Sequence, residues 1–281
     1  NISLNFNSEN QLTFDQSYVE YKNNNKIFGI GKFDRNWSFS PNTSLILSTN
    51  ARPTDSIYFT INNKEGPHGK IISLIGPWSF EVFNAFQSGS NKVNNSMLLG
   101  MRAIAEPVKN LKFELLKTSQ WGGDNQPNNL SSLKSAIVGN SNEYSHSAIN
   151  QMAGFGVSFL KNFHKIQSRS YAQFIGEDEA GGLPSCFMSL IGNEFYFTNK
   201  NLIQKFGVEY IDTRIKTTRH GNCGNNSAYN NGSYDYINYG KVLGAPIDTE
   251  GKSFHSWATK KLSEKISVKY SIKNYIINDT N

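Results

Sequence analysis

Charge is scarce in this sequence. Lysine, arginine, aspartate and glutamate make up 18% of the 281 residues, against roughly 25% in ordinary soluble domains. Long apolar runs are also missing. The richest stretches, 71–75 and 97–101, fall far short of the roughly 20 residues that cross a bilayer as a helix, which excludes a helical membrane protein. There are only two cysteines, Cys186 and Cys223. They suffice for one disulfide in an oxidising compartment, and their spacing does not decide whether they pair. The five histidines show no ligand spacing. His220 and Cys223 form an H-x-x-C pair, which lacks the two further ligands that hold zinc. No metal and no cofactor is expected. The chain opens on Asn1 without a basic segment and an apolar run behind it, so no signal peptide is expected and the sequence reads as a mature product or a fragment.

What fills the space is amide, hydroxyl and aromatic. The chain holds 36 Asn and 32 Ser, together with 13 Tyr, 19 Phe and 4 Trp. So many aromatic side chains can offset the cost of ordering the backbone, which excludes disorder. The net charge is +6, a modest excess that favours a polyanionic partner. No nucleic-acid partner is expected.

Period-two alternation dominates the pattern. Ile266, Val268, Tyr270 and Ile272 alternate with Ser267, Lys269, Ser271 and Lys273. That puts an apolar row on one face of a strand and a cationic row on the other. The same signature marks Ile2/Leu4/Phe6, Trp78/Phe80/Val82 and Phe155/Val157/Phe159. Weaker alternation at 11–21, 26–33, 56–61, 96–105, 111–119, 170–176, 186–198, 202–213 and 253–262 brings the total to about a dozen strands, with Gly, Asn and Pro between them. One short helix is expected at 130–138, inside a long loop. No linker or repeat divides the chain, so residues 1–281 read as a single β domain.

Two architectures satisfy this pattern. A β-sandwich hides its apolar rows between sheets, whereas a transmembrane barrel turns them toward lipid and its polar rows toward a wet lumen. The segment lengths approach the 9–11 residues a tilted strand needs to cross. Tight turns at 62–66 and 107–110 contrast with two long connections, about 120–151 and 213–252. Short turns at one rim and long loops at the other favour the barrel.

Three segments carry candidate chemistry. Residues 44–53, Ser-Leu-Ile-Leu-Ser-Thr-Asn-Ala-Arg-Pro, break the alternation. They read either as a re-entrant segment tucked against the wall or as a loop offering Asn50 and Arg52 as donors to a polyhydroxylated ligand. Trp121, followed by two glycines, reads as a sugar-stacking ring or as a residue of an interfacial aromatic belt. Glu177, Asp178 and Glu179 lie in a glycine-rich stretch read as a turn after a strand. Paired carboxylates hydrolyse glycosides, but consecutive acids point in different directions, so hydrolysis needs a distant partner. Binding of a cation or of sugar hydroxyls is the alternative.

Taken in order, these motifs resemble the capsule assembly Wzi family of Gram-negative outer-membrane proteins. The resemblance rests on S-L-I-L-S-x-N-A-R-P at 44–53, the stretch from Arg102 to Gln120-Trp121-Gly-Gly, and residues 171–184. It continues through Gly207-x-Glu-Tyr-x-Asp-Thr213, Tyr229-x-x-Gly-x-Tyr234, Gly240-Lys-Val-Leu-Gly244 and Asp248. Where the family has a Trp-Trp-Gly-Pro-Gly-like stretch, this chain reads Asp34-Arg-Asn-Trp-Ser-Phe-Ser-Pro41. The segment 243–248 also lacks the histidine expected after its glycine.

The resemblance implies an all-β, antiparallel transmembrane β-barrel of the outer-membrane type. Because the best-known members resemble 18-stranded barrels, it implies a partial barrel here, about 12–14 strands with two long loops. It further implies a non-enzymatic lectin of the outer membrane. Such a protein binds capsular polysaccharide, contacts outer-membrane lipid and works beside the capsule export machinery. The ligand residues expected on this reading are Arg35, Trp37, Asn50, Arg52, Trp121, Glu177, Asp178, Glu179, Asp212, His220 and Asp248. A passive porin and a secreted β-sandwich glycosidase are the alternatives.

Overall fold

The computed structural model describes all residues except 1, 4, 7–11, 68, 70–71, 90, 140–148, 181–182, 200–201, 216–223, 264 and 279–281. At 5–6, 178–180, 183–184, 198–199 and 202–203 it describes the backbone alone. The first strands are β1 (Asn5–Phe6), β2 (Leu12–Thr13), β3 (Ser17–Asn23), β4 (Lys26–Lys32), β5 (Asp55–Asn63), β6 (Trp78–Phe86), β7 (Met97–Val108) and β8 (Leu111–Trp121). After helix α1 (Leu130–Val138) come β9 (Asn150–Phe163), β10 (Ile166–Ala180), β11 (Leu183–Asn199) and β12 (Leu202–Asp212). The chain continues with β13 (Ile237–Asn238), β14 (Lys241–Val242), β15 (Lys252–Lys261) and β16 (Ser267–Ile276). Twelve strands, β3–β12 with β15 and β16, form one antiparallel sheet in sequence order. This is the all-β antiparallel barrel architecture expected from the alternation. One expected strand is split: Gln16 adopts a positive φ of 69°, so a turn separates β2 from β3 within 11–21.

The two faces of the sheet are chemically inverted relative to a soluble protein. Phe113 and Leu115 on β8, Phe155 and Phe159 on β9, Ile191 on β11 and Phe254 on β15 are exposed. Their alternates face inward: Leu116, Met152, Tyr171, Ile175, Met188, Leu190 and Ile211 belong to one buried cluster. Strands from β5 to β12 therefore curve around a common interior. An exposed apolar face this extensive marks a surface meant for a nonaqueous neighbour.

The inner wall is built from direct cross-strand pairs of one large and one absent side chain. Tyr58 sits opposite Gly29, Phe83 opposite Gly100, Tyr171 opposite Gly192 and Trp257 opposite Gly207. Each ring lies where a Cβ on its glycine would stand, as expected where aromatics cover glycines in curved sheets.

Two inserts fill the interior at one rim. Residues 33–54 connect β4 to β5, and residues 213–251, carrying the β13–β14 hairpin, connect β12 to β15. Trp37, Leu45, Ile46 and Leu47 from the first join Tyr229, Tyr236, Leu243 and Ile247 from the second in the same buried cluster. The irregular backbone is bonded almost atom by atom. The fully buried Gln173 of β10 accepts from Leu45 N at 2.8 Å and donates to the Trp37 carbonyl at 2.6 Å. Tyr229 and Tyr236 hydroxyls each donate at 2.7 Å, to the Leu45 and Ile46 carbonyls. Ser48 N donates to the Leu243 carbonyl at 2.7 Å. The run 44–53 is thus re-entrant, inside the wall.

Helix α1 forms where the sequence expects it. Asn129 caps its N-terminus in a reciprocal box with Ser132, and Gly139 ends it at φ 93°, which glycine adopts without strain. It lies against the outer face of the wall: Ser119 Oγ and Lys117 Nζ donate to the Ala136 and Ile137 carbonyls at 2.8 and 3.0 Å. Cys186 on β11 is disulfide-bonded, and the chain's other cysteine, Cys223, lies outside the described residues.

Replacing Gln173 with Leu strands the buried Leu45 N–H, at about 1–3 kcal/mol, while the Trp37 carbonyl keeps its bond from Ser44 Oγ. The variant is expected to unfold at lower urea in detergent micelles and to lose heat-modifiable gel mobility sooner. Gly192→Val drives a side chain into the Tyr171 ring and should cost about 1–3 kcal/mol by the same measurement. Gly232→Ala, in open space, is the silent control.

Candidate functional site

The rim that carries the inserts gathers most of the candidate residues, and their geometry sorts them into framework and surface. Arg35 is framework. Its Nε donates to Glu81 at 3.0 Å and its Nη2 to Ser56 at 3.0 Å, with the guanidinium 4.1 and 4.3 Å from the Phe33 and Phe83 ring centres. Burial pulls its pKa below the usual arginine value, opposed by Glu81. Trp37 is buried edge-on to Phe83, with ring centres 5.2 Å apart. Asn50 donates from Nδ2 to the Val242 carbonyl at 2.9 Å and pins one insert to the other. These three hold the plug together rather than facing a ligand.

Trp121 is also corrected by the structure. It is the last residue of β8, before Gly122 and Gly123 at φ 62° and 96° turn the chain away. Its ring points to the outer face and packs beneath α1 with Leu99, Ala136 and Ile149. The indole Nε1 donates to Asn84 Oδ1 at 3.1 Å. Both ring and donor are occupied, so the exposed stacking surface expected from the sequence is absent. The acids Glu177, Asp178 and Glu179 are not in a turn, because β10 runs through them to Ala180. Glu177 accepts from Tyr229 N at 3.2 Å and so meets the second insert. Side chains 178 and 179 lie outside the description, as does His220.

Arg52 lies at the surface. Its Nε and Nη2 form a two-pronged pair with Asp15 at 2.9 and 3.1 Å, a geometry that fixes the guanidinium plane. That pairing raises its pKa. The guanidinium stands 4.2 Å from the centre of the Tyr239 ring, and Lys32 Nζ stands 5.3 Å from the same ring. Lys32 in turn reaches Asp15 at 3.6 Å and Asp55 at 3.4 Å. The fully buried Asn238 sets this patch. Its Nδ2 donates to the Arg52 carbonyl at 2.8 Å, and its Oδ1 accepts from Ser88 N at 2.8 Å. Asp212 is engaged with Arg214 at 2.9 and 2.6 Å. Asp248 is exposed; its carboxylate accepts from Thr249 N at 2.8 Å and its carbonyl from Thr213 Oγ1 at 2.6 Å.

Sequence reasoning missed Asp15, Lys32 and Tyr239. Lys32 and Asp55 carried a usable signal, since they end the strands that flank the first insert and are directly opposite in register. A second polar surface lies beside the patch, where Lys92 bridges Asp235 at 3.1 Å and Asn230 at 3.2 Å. Charged pairs, carboxamides and an aromatic face together suit hydrogen bonding and stacking to a hydroxyl-rich ligand.

The fold has a known counterpart. A family model described as capsule assembly protein Wzi matches residues 2–280. A solved structure of Wzi, described as an outer-membrane protein involved in group 1 capsule assembly in Escherichia coli and a carbohydrate-binding β-barrel, superposes with a TM-score of 0.82. That match covers 97% of this chain and 59% of the other at 22% identity. A Klebsiella pneumoniae protein described as an uncharacterized 55.8 kDa protein in the cps region is 27% identical over 192 residues. That alignment takes in 68% of this chain and 38% of the relative, so the chain spans well under two thirds of either counterpart. On the match along nearly its whole length, the chain belongs to the Wzi family of capsule assembly proteins.

Proposed function

We propose that this chain is the greater part of a non-enzymatic outer-membrane β-barrel that binds capsular polysaccharide and helps hold or assemble it at the cell surface. Residues 1–281 are one domain on this reading, a portion of a longer barrel. The observation that carries it is a wall with an exposed apolar outer face whose interior is filled by two hydrogen-bonded inserts. Such a barrel suits lipid outside and offers a built surface at its rim instead of a channel.

The ligand surface at that rim centres on Arg52 and Tyr239, with Asp248 exposed on the second insert. Asp178, Glu179 and Asp212 belong to the same rim by their place in the chain, and His220, outside the described residues, is proposed with them from the sequence. Support for binding without catalysis comes from the inward acids. Glu114 is held by Arg102 at 2.5 Å, Glu194 by Arg169 and Lys205, and Glu209 by Ser40 and Tyr171. A glycosidase instead needs two carboxylates free to flank a glycosidic bond. Outer-membrane lipid and the capsule export machinery are the further partners of the proposal.

In planar bilayers the full-length protein is expected to show no steady conductance. Deleting residues 38–47, which carry the apolar insert, should open ion flow, and a conducting parent protein would favour the porin. In cells lacking the gene, capsule should shed into the medium, and the parent sequence should restore it to the surface. Arg52→Ala combined with Tyr239→Ala should lower surface-bound capsule severalfold at unchanged protein level. Full retention by that variant would remove the patch from the binding surface.

A further inference from the structure

The opposite rim, where the turns are short, carries a feature that the first rim does not explain. Lys109, Lys165 and Lys265 sit in its turns, and just inside it β11, β12, β15 and β16 form a cleft of about 300 Å³. Lys205, Lys261 and Lys265 line that cleft together with Tyr196, Thr259 and Ser267.

The lysines continue up the inner wall. His255 Nε2 and Ser271 Oγ are 2.8 Å apart, and His255 is buried against Trp257 on the inner face. Ser271 therefore faces inward, and by the two-residue period so do Ser267, Lys269 and Lys273. Their alternates Tyr270 and Ile272 are exposed on the lipid-facing side. Register places Lys261 opposite Ser267 and Thr259 opposite Lys269, so ammonium and hydroxyl groups alternate along and across the two strands. Lys269 and Lys273, four residues apart on one strand face with Ser271 between them, are about 13 Å apart.

Among the described residues no acid pairs with this row. Glu194, an inward carboxylate of β11, is already matched by both Arg169 and Lys205. Lys261, Lys265, Lys269 and Lys273 have no ion pair among the described residues, and Glu264 in the adjoining turn lies outside them. A row of unpaired ammonium groups facing the lumen, spaced along a strand and interleaved with hydroxyls, is built for a linear ligand with repeated negative charge and many oxygen acceptors.

The geometry points to a second polysaccharide site: the lysine–hydroxyl row of β15 and β16 at the short-turn mouth binds an acidic, carboxylate-bearing glycan strand. The inference rests on the proposed polysaccharide binding and adds its charge class and a location on the opposite side of the plug. An anionic phospholipid is the lesser fit, because the row faces the interior while the apolar alternates face lipid.

The test uses the full-length protein in neutral phosphatidylcholine nanodiscs, with fluorescent polyuronate and fluorescent dextran as probes. The parent protein should bind polyuronate with an affinity that falls as salt rises. Lys261→Gln, Lys265→Gln and Lys269→Gln combined should weaken polyuronate about tenfold, each exposed contact supplying a factor of about two to three. The corresponding three Lys→Arg changes should retain binding, which separates charge from misfolding. The same number of charges removed at Lys109, Lys161 and Lys165 should have little effect.

Equal polyuronate binding by the parent and the triple Gln variant would overturn the site while leaving polysaccharide binding in place. So would loss of binding in the Lys109, Lys161 and Lys165 variant to the same extent. A parent protein that binds dextran but not polyuronate would overturn the charge class alone. A parent that binds neither probe would remove the site together with the broader functional reading. Retention on phosphatidylglycerol nanodiscs that the Gln variant loses, with polyuronate binding unchanged, would assign the row to lipid instead.

Discussion

An irregular chain packed inside a barrel must find a partner for every N–H and C=O it brings away from water. That requirement organises this protein. The four-residue core of the first insert, residues 44–47, has no regular secondary structure, yet its backbone is served by Gln173, by Ser44 and by two tyrosine hydroxyls from the second insert. Gln173 can do this because a carboxamide both donates and accepts, and because β10 aims it inward between Tyr171 and Ile175. The two inserts therefore depend on each other as well as on the wall. Burial pushes the Tyr229 and Tyr236 phenols well above their usual pKa, so both remain neutral donors across the ordinary pH range.

The same need explains the wall. A plug of this size leaves little room, and the inner face meets it by pairing Tyr58, Phe83, Tyr171 and Trp257 each with a glycine directly across the strand gap. Rings then lie flat against the wall instead of projecting into the plug. Where the inner residues are charged, compensation is local: Arg102 with Glu114 and Arg169 with Glu194 are neighbours on the wall itself. Outside, none of this applies, and the alternates are simply apolar. Low charge content and high aromatic content are both consequences of a sheet that needs one face for lipid and one for a packed interior.

The sequence was legible where local physics decides. Alternation located the long strands and the apolar rows, and the polar run before 130–138 with Gly139 behind it bounded the helix to the residue. It was illegible where a residue's role depends on what folds over it. Trp121 beside two glycines looks like a loop residue, and only α1 arriving from ten residues downstream makes it a packed one. The acids at 177–179 follow a glycine and precede two more, which reads as a turn, yet pairing with β11 extends the strand through them. Tyr239 had no signal of its own. Its value comes from Arg52 and Lys32, nearly 190 and 207 positions earlier in the chain.

The two rims end up with different chemistry for a reason the plug supplies. At the long-loop rim Arg52 and Lys32 are paired with Asp15, between β2 and β3, and Lys32 also with Asp55 of β5, while Lys92 is paired with Asp235 of the second insert. Recognition there works through an aromatic face and fixed hydrogen-bond geometry, which discriminate shape more than charge. At the short-turn rim no insert descends among the described residues, and Lys261, Lys269 and Lys273 of β15 and β16 have no ion pair among them. Attraction there is long in range and sensitive to salt, suited to gathering a polyanion rather than reading it. A filled barrel separates these two modes by its own thickness, so on the proposed function a glycan engages each rim on different terms, and neither engagement requires passage through the wall between them.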